Sequence, residues 1–195
     1  VTRMTVRLVA TAAVAASVAM VGLSDTATAA TTPASGSLVV QEDNTFLQNS
    51  LQNGIIAVAL PSATVGYNPS TGFSGTFPVT GGSVNVSRFY GAAQLGGQIL
   101  VVNLGTGQTV IFNNLAFDAS KWAVTAVPQG STTAVKLFDP KSTVITKSGT
   151  TQNLAAGELD IDAAAAQYAD NALGTSYFTA GQNVGSANFS FTPAS

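Results

Sequence analysis

The chain contains no cysteine and no histidine. The first absence excludes disulfides, thiolate metal sites, iron–sulfur clusters and cysteine nucleophiles. The second excludes Ser-His-Asp triads and imidazole-ligated zinc, and removes the side chain most used for acid–base work near neutral pH. Charge is scarce too: 8% of the 195 residues are charged, for a net charge of −2, while 46% are hydrophobic. About 150 residues is typical of one domain, so one domain is expected. A domain of this size buries roughly 70% of the surface its unfolded chain exposes, enough for a core without covalent staples.

Long apolar runs are also missing after the N-terminus; Ile55 to Leu60 is typical of what remains, and too short to span a bilayer. The N-terminus itself carries Arg3 and Arg7 ahead of an apolar, Ala- and Val-rich stretch from Leu8 to Leu23. Ala27-Thr28-Ala29 then supplies the small-x-small pattern of a signal-peptidase site. Residues 1–29 are therefore expected to be a secretory signal peptide, with cleavage after Ala29. The apolar stretch falls short of the ~20 residues of a spanning helix, and no positive cluster follows it, which argues against an anchor. Beyond Ala29 the chain keeps five basic and eight acidic side chains. No basic patch can be built from these, so nucleic acid is not an expected partner. The mature protein is expected to be secreted, or held in the envelope only by non-covalent contacts.

Residues 30–35, rich in Thr, Ala, Pro and Ser, are expected to be a flexible leader, and residues 36–195 a single domain. That domain consists mainly of short β-rich segments separated by Gly, Pro, Asn and Asp. Strands are expected at Ser37–Gln41, Ile55–Leu60, Gly72–Val79, Ser83–Phe89, Gln98–Leu104 and Gln108–Phe117. Further strands are expected at Lys121–Val127, Thr133–Phe138, Thr143–Lys147, Asn153–Ile161 and Ala187–Phe191. Val84 and Val86 alternate with Asn85 and Ser87, and Trp122, Val124 and Ala126 with Ala123 and Thr125, as in half-buried strands. Many short antiparallel strands describe a sandwich or a barrel, and an all-β sandwich is the expectation. Two short helices interrupt it. Asp162 can cap Ala163–Leu173, with Gly174 in the left-handed position that ends it. Asn44 or Asp43 can cap Thr45–Asn53, with Gly54 as its stop.

Few residues suggest chemistry. Glu158, Asp160 and Asp162 share one face of a strand and could serve a carboxylate hydrolase or a calcium site. Their i, i+2 spacing rarely sets two carboxylates across a cleft, and Ala165 stands where an EF-hand needs its turn glycine. A solvated strand face running into an Asp cap is the expected role. Lys147-Ser148-Gly149 is similar to the Lys-Thr-Gly strand of penicillin-binding enzymes, but their Ser-x-x-Lys nucleophile motif is missing. Trp122, the single tryptophan, is expected to pack in the core, as are Phe138, Phe189 and Phe191. No metal site is expected, and no catalytic residue is assigned.

Three stretches together resemble the HtaA-type domain of secreted actinobacterial haem-uptake proteins. The first is Ser35-Gly36-Ser37-Leu38 with the helix bearing Phe46 and Leu51 and with Gly54-Ile55-Ile56 after it. The second runs from Val86-Ser87-Arg88-Phe89-Tyr90-Gly91-Ala92 through Leu95 and Gly96 into Ile99 to Leu104. The third is Leu154 to Pro193, with its Ala-rich helix, Phe178-Thr179-Ala180-Gly181 and Phe189-Ser190-Phe191-Thr192-Pro193. The resemblance implies an immunoglobulin-like antiparallel β-sandwich with a small helix beside a haem pocket. In that family a helix-borne Tyr binds the haem iron and a His supports it. Here the helix has no Tyr near Asn49, Ser50 and Leu51, and the His position reads Ala92. No cofactor is therefore expected, haem included. If a flat apolar ligand such as haem is carried, one of the four Tyr is expected to hold it, with Tyr90, Tyr168 and Tyr177 as the candidates. The expected function is that of a non-catalytic extracellular or envelope binding protein. A haem-like carrier using a Tyr and a carboxylate-based glycan hydrolase are the alternatives.

Overall fold

Alternation of inward and outward side chains runs through most of the chain. The computed structural model resolves it into eleven strands and two α-helices among the described residues, 32–195. The expected signal peptide, residues 1–29, lies outside the described residues. The strands begin with β1 (Ser35–Glu42), β2 (Ile55–Leu60), β3 (Thr64–Asn68) and β4 (Gly72–Asn85). A 3₁₀ turn at Val86–Arg88 leads into β5 (Tyr90–Leu95), β6 (Gln98–Asn103), β7 (Thr109–Asp118) and β8 (Ala123–Pro128). The last three are β9 (Val135–Ser148), β10 (Thr151–Ile161) and β11 (Gly185–Thr192). Helix α1 (Asn44–Gln52) lies between β1 and β2, and α2 (Ala163–Leu173) follows β10.

Both helices start and stop where their sequences dictate. The Asp43 carboxylate accepts a hydrogen bond from the Phe46 N–H at 2.9 Å, and that of Asp162 accepts from Ala164 N–H at 2.8 Å. Each satisfies a donor that the first helical turn would leave orphaned. Gly174 ends α2 at φ 62°, a left-handed conformation that a Cβ would strain. Ala165, Ala166, Ala169 and Leu173 are buried on one side of α2, so small side chains let the helix lie close against the sheet.

The expected two-sheet sandwich is corrected by the pairing. Hydrogen bonding continues without a break through β7, β5, β4, β1, β11, β10, β9 and β8, and β8 in turn pairs with β7. All these pairs are antiparallel, so the strands close into one barrel-like sheet. Eight strands leave an interior just wide enough for side chains to fill. Phe117, Leu115, Leu159, Phe189 and Phe191 fill it here, each no more than 2% exposed.

The barrel wall forks at one end. Strand β5 bridges Val79–Asn85 of β4 and Ala116–Asp118 of β7. Beyond it, β3 pairs with the Gly72–Thr76 half of β4, while β6 and then β2 extend from the Thr109–Phe112 half of β7. Among the described residues no ladder joins β2 to β3, so each is an edge.

Other expectations are adjusted in detail. Strands β3 and β5 were not expected. Each of β4 and β9 runs through what the sequence divides into two strands, and Val86 to Phe89 leaves the sheet. Trp122 is not part of a strand: it sits at φ 51° ahead of β8, half-buried against Phe117 and Phe89. In β8 itself Ala123 to Ala126 are all buried, so alternation fails there. The expected leader ends in structure as well. Thr32 and Ser195 exchange both backbone hydrogen bonds, at 2.8 and 3.1 Å, extending the β1–β11 pairing.

Candidate functional site

Behind the fork the barrel interior is not filled. A cavity of about 120 Å³ opens there, lined from β2 and β6 on one side and β4 and β1 on the other. Phe46 of α1 and Phe178 border it, and Ala165 and Ala169 of α2 form part of its wall. The inward positions explain this lining. Ile55, Ala57 and Ala59 share one face of β2, and Ile99 and Val101 one face of β6. Small residues at Ala57, Ala59, Gly75, Ala165 and Ala169 stand where larger ones would close the space.

Among the described residues, Glu42 is the only charged or polar side chain in the lining. It continues the inward series Leu38, Val40 at the end of β1, where the alternation calls for an apolar residue. Its cross-strand neighbour is Gly185, which offers no side chain to cover it. Burial pushes the Glu42 carboxyl above its ordinary value of 4.5. The folded chain therefore holds this proton more tightly than the unfolded chain. The stability it contributes is fully present below the ordinary value and is lost as pH rises through the raised one. Thermal melts across the acid-to-neutral range should show a decline in the native protein that Glu42→Gln lacks. Parallel profiles for the two would count against this assignment.

The tyrosines are not gathered at the cavity. Tyr177 turns its hydroxyl to α1, 2.8 Å from Ser50 Oγ and 3.4 Å from the Phe46 carbonyl. Tyr168 packs beside Phe112 and reaches the Gln129 carbonyl at 3.5 Å. Tyr90 is 52% exposed at the start of β5. None of the three lines the cavity, although Tyr177 and Tyr168 each touch an aromatic residue that does. The carboxylates read from sequence lie elsewhere: Glu158 is exposed opposite Lys141, Asp160 sits opposite Asp139, and Asp162 is engaged as the α2 cap. Lys147-Ser148-Gly149 enters the β9–β10 hairpin, with Gly149 at φ 60°. Among the described residues no group of three or more acidic side chains is placed to hold a metal ion.

Asn103, not singled out from sequence, ties the end of α2 to the turn after β6. Its amide donates to the Leu173 carbonyl at 3.0 Å, fixing the end of α2, while its oxygen accepts from Gly105 N–H at 2.9 Å. An Asn at a strand end two residues ahead of Gly105-Thr106-Gly107 is the signal that could have found it.

These features define a closed, all-antiparallel sheet with an apolar cavity at its forked end. In fold the chain is similar to the C-terminal domain of HtaA from Corynebacterium glutamicum. That crystal structure matches with a TM-score of 0.54 over 85% of this chain and 99% of the domain, at 16% sequence identity. No family model matches the chain, and no curated protein matches it. At this identity the likeness concerns the fold, and the site has to be read from its own residues. Those residues do not fit haem. Among the described residues the lining holds no Tyr, His, Cys or Met to bind iron, and Ala92 lies beside the inward Ala93 on the opposite face of β5. The cavity is also smaller than the ~300–1,000 Å³ usual for pockets that enclose drug-sized ligands.

Proposed function

We propose that this protein is a secreted, non-catalytic binding domain that holds a small apolar molecule, or the apolar end of one, in the forked mouth of its barrel. The apolar lining around an unfilled space carries this reading. Cavities of about 150 Å³ lined by Leu, Ile and Phe stay dry and accept benzene, so a space of about 120 Å³ suits a single ring or a short alkyl chain. Glu158 and Asp160 point outward, which supports binding over hydrolysis. Among the described residues no helix is long and apolar enough to cross a membrane.

Ala169→Leu tests the reading directly. The added carbons enter the cavity from α2 and should abolish saturable binding of toluene, followed by NMR chemical shifts, without unfolding the protein. Native protein that gives no saturable shifts at ligand concentrations on the order of millimolar would sink the proposal.

The fold likeness keeps a haem carrier as the second reading. Hemin is expected to associate weakly and to keep a spectrum close to its free form, since Tyr177 is hydrogen-bonded to α1 and, among the described residues, no iron ligand lines the cavity. A Soret shift saturating at one equivalent, and lost in Tyr90→Phe, Tyr168→Phe or Tyr177→Phe, would reverse the order of the two readings.

A further inference from the structure

We propose, on the basis of that cavity-binding reading, that the ligand carries a protonated amine whose ammonium group meets the Glu42 carboxylate while its apolar portion fills the space beyond. Among the described residues, Glu42 is the one group in the lining that can tell one head group from another. Its carboxylate has no hydrogen-bond or ion-pair partner among the described residues, and neither oxygen is sealed off as a buried unpaired atom. It is open to whatever enters.

Among the described residues no basic side chain lines the cavity to serve as a counter-ion. The basic side chains among the described residues are Arg88, Lys121, Lys136, Lys141 and Lys147, and none of them lines the cavity. Lys121 and Lys136 are already paired with Asp118 and Asp139, at 3.3 and 3.0 Å. The neighbouring acid, Asp43, is engaged as the α1 cap. A half-buried carboxylate held among apolar side chains costs stability unless something pairs with it. An ammonium group there adds attraction between opposite charges to its hydrogen bond, whereas a hydroxyl brings the hydrogen bond alone. A carboxylate head would meet repulsion. Burial raises the proton affinity of Glu42, and a cation bound beside it acts in the opposite sense, favouring the ionised form.

Titrating the purified protein at neutral pH with hexylamine, hexanol and hexanoate separates the head-group assignment from the cavity reading. The three share one alkyl chain and differ at the head. Hexylamine is expected to bind roughly tenfold more tightly than hexanol, with hexanoate weakest. In Glu42→Gln the amine should fall to parity with the alcohol, while hexanol affinity stays unchanged. Equal binding of amine and alcohol to the native protein overturns the head-group assignment and leaves the cavity reading standing. An amine preference that survives in Glu42→Gln overturns it too. No binding of any of the three overturns both. The ranking in the native protein needs no variant, so it decides the matter even if Glu42→Gln is poorly folded.

Discussion

Phe189→Ala is expected to remove about 3–5 kcal/mol of stability, a large share of the roughly 5–15 kcal/mol that holds a typical domain folded. The ring is 1% exposed and lies 4.6 Å, centroid to centroid, from Phe117. Its strand is paired on both sides, with Leu38 of β1 and Leu154 of β10 directly across. Strands held on two sides cannot collapse inward to refill the space, so the cavity term adds to the lost transfer energy. Trp122→Ala should cost less, because that ring is only half-buried at the edge of the same aromatic cluster. Urea unfolding at constant slope measures both changes. A loss below about 1 kcal/mol at Phe189 would mean that the barrel interior is not the packed core described above.

The second large effect is expected at Gly185→Ala. Gly185 adopts φ 145°, and a Cβ there would run into the Gln41 carbonyl oxygen of the paired strand. Backbone strain and overpacking then act together, each worth about 1–3 kcal/mol. Gly149→Ala provides the contrast. It too has positive φ, at 60°, but nothing lies within 4 Å of the added carbon, so only the conformational penalty of about 1–2 kcal/mol applies. Similar losses at the two sites would show that steric contact at the β1–β11 seam contributes nothing. Because Gly185 also faces Glu42, the same substitution should disturb the mouth of the cavity.

The helix α2 was legible to the residue, since Asp162 and Gly174 mark its two ends with side-chain and backbone chemistry that few other residues provide. Strand β3 was not: its five residues are all exposed, so no alternation betrays it. Strand β5 is built largely of Gly, Ala and Gln, whose weak hydrophobic contrast hides the period. In β4 the Gly81-Gly82 pair reads as a turn but sits at an irregular pairing beside Val79, where the strand bends and continues. Ser142 has φ 50° opposite Gly157, and β9 passes through it in the same way. Closure of the sheet depends on β1, near the start of the described chain, pairing with β11 near its end, a long-range ladder that no local pattern encodes. The site was half-hidden for a related reason. The series Leu38, Val40, Glu42 already points one carboxylate inward, yet only the neighbouring strands reveal that it faces unfilled space.

The pairing of Thr32 with Ser195 places the two ends of the described chain side by side, at the open end of the β1–β11 ladder. A pulling force applied between those ends acts across the strands rather than along them. The hydrogen bonds of the ladder would then be loaded one at a time, from Ser35–Thr192 inward to Glu42–Gly185, and part in succession like a zipper. A sheet sheared lengthwise must break many such bonds at once. Stretched from its ends, this barrel should therefore yield at low force, whatever its resistance to heat or denaturant, and the seam would part last at Glu42, beside the cavity.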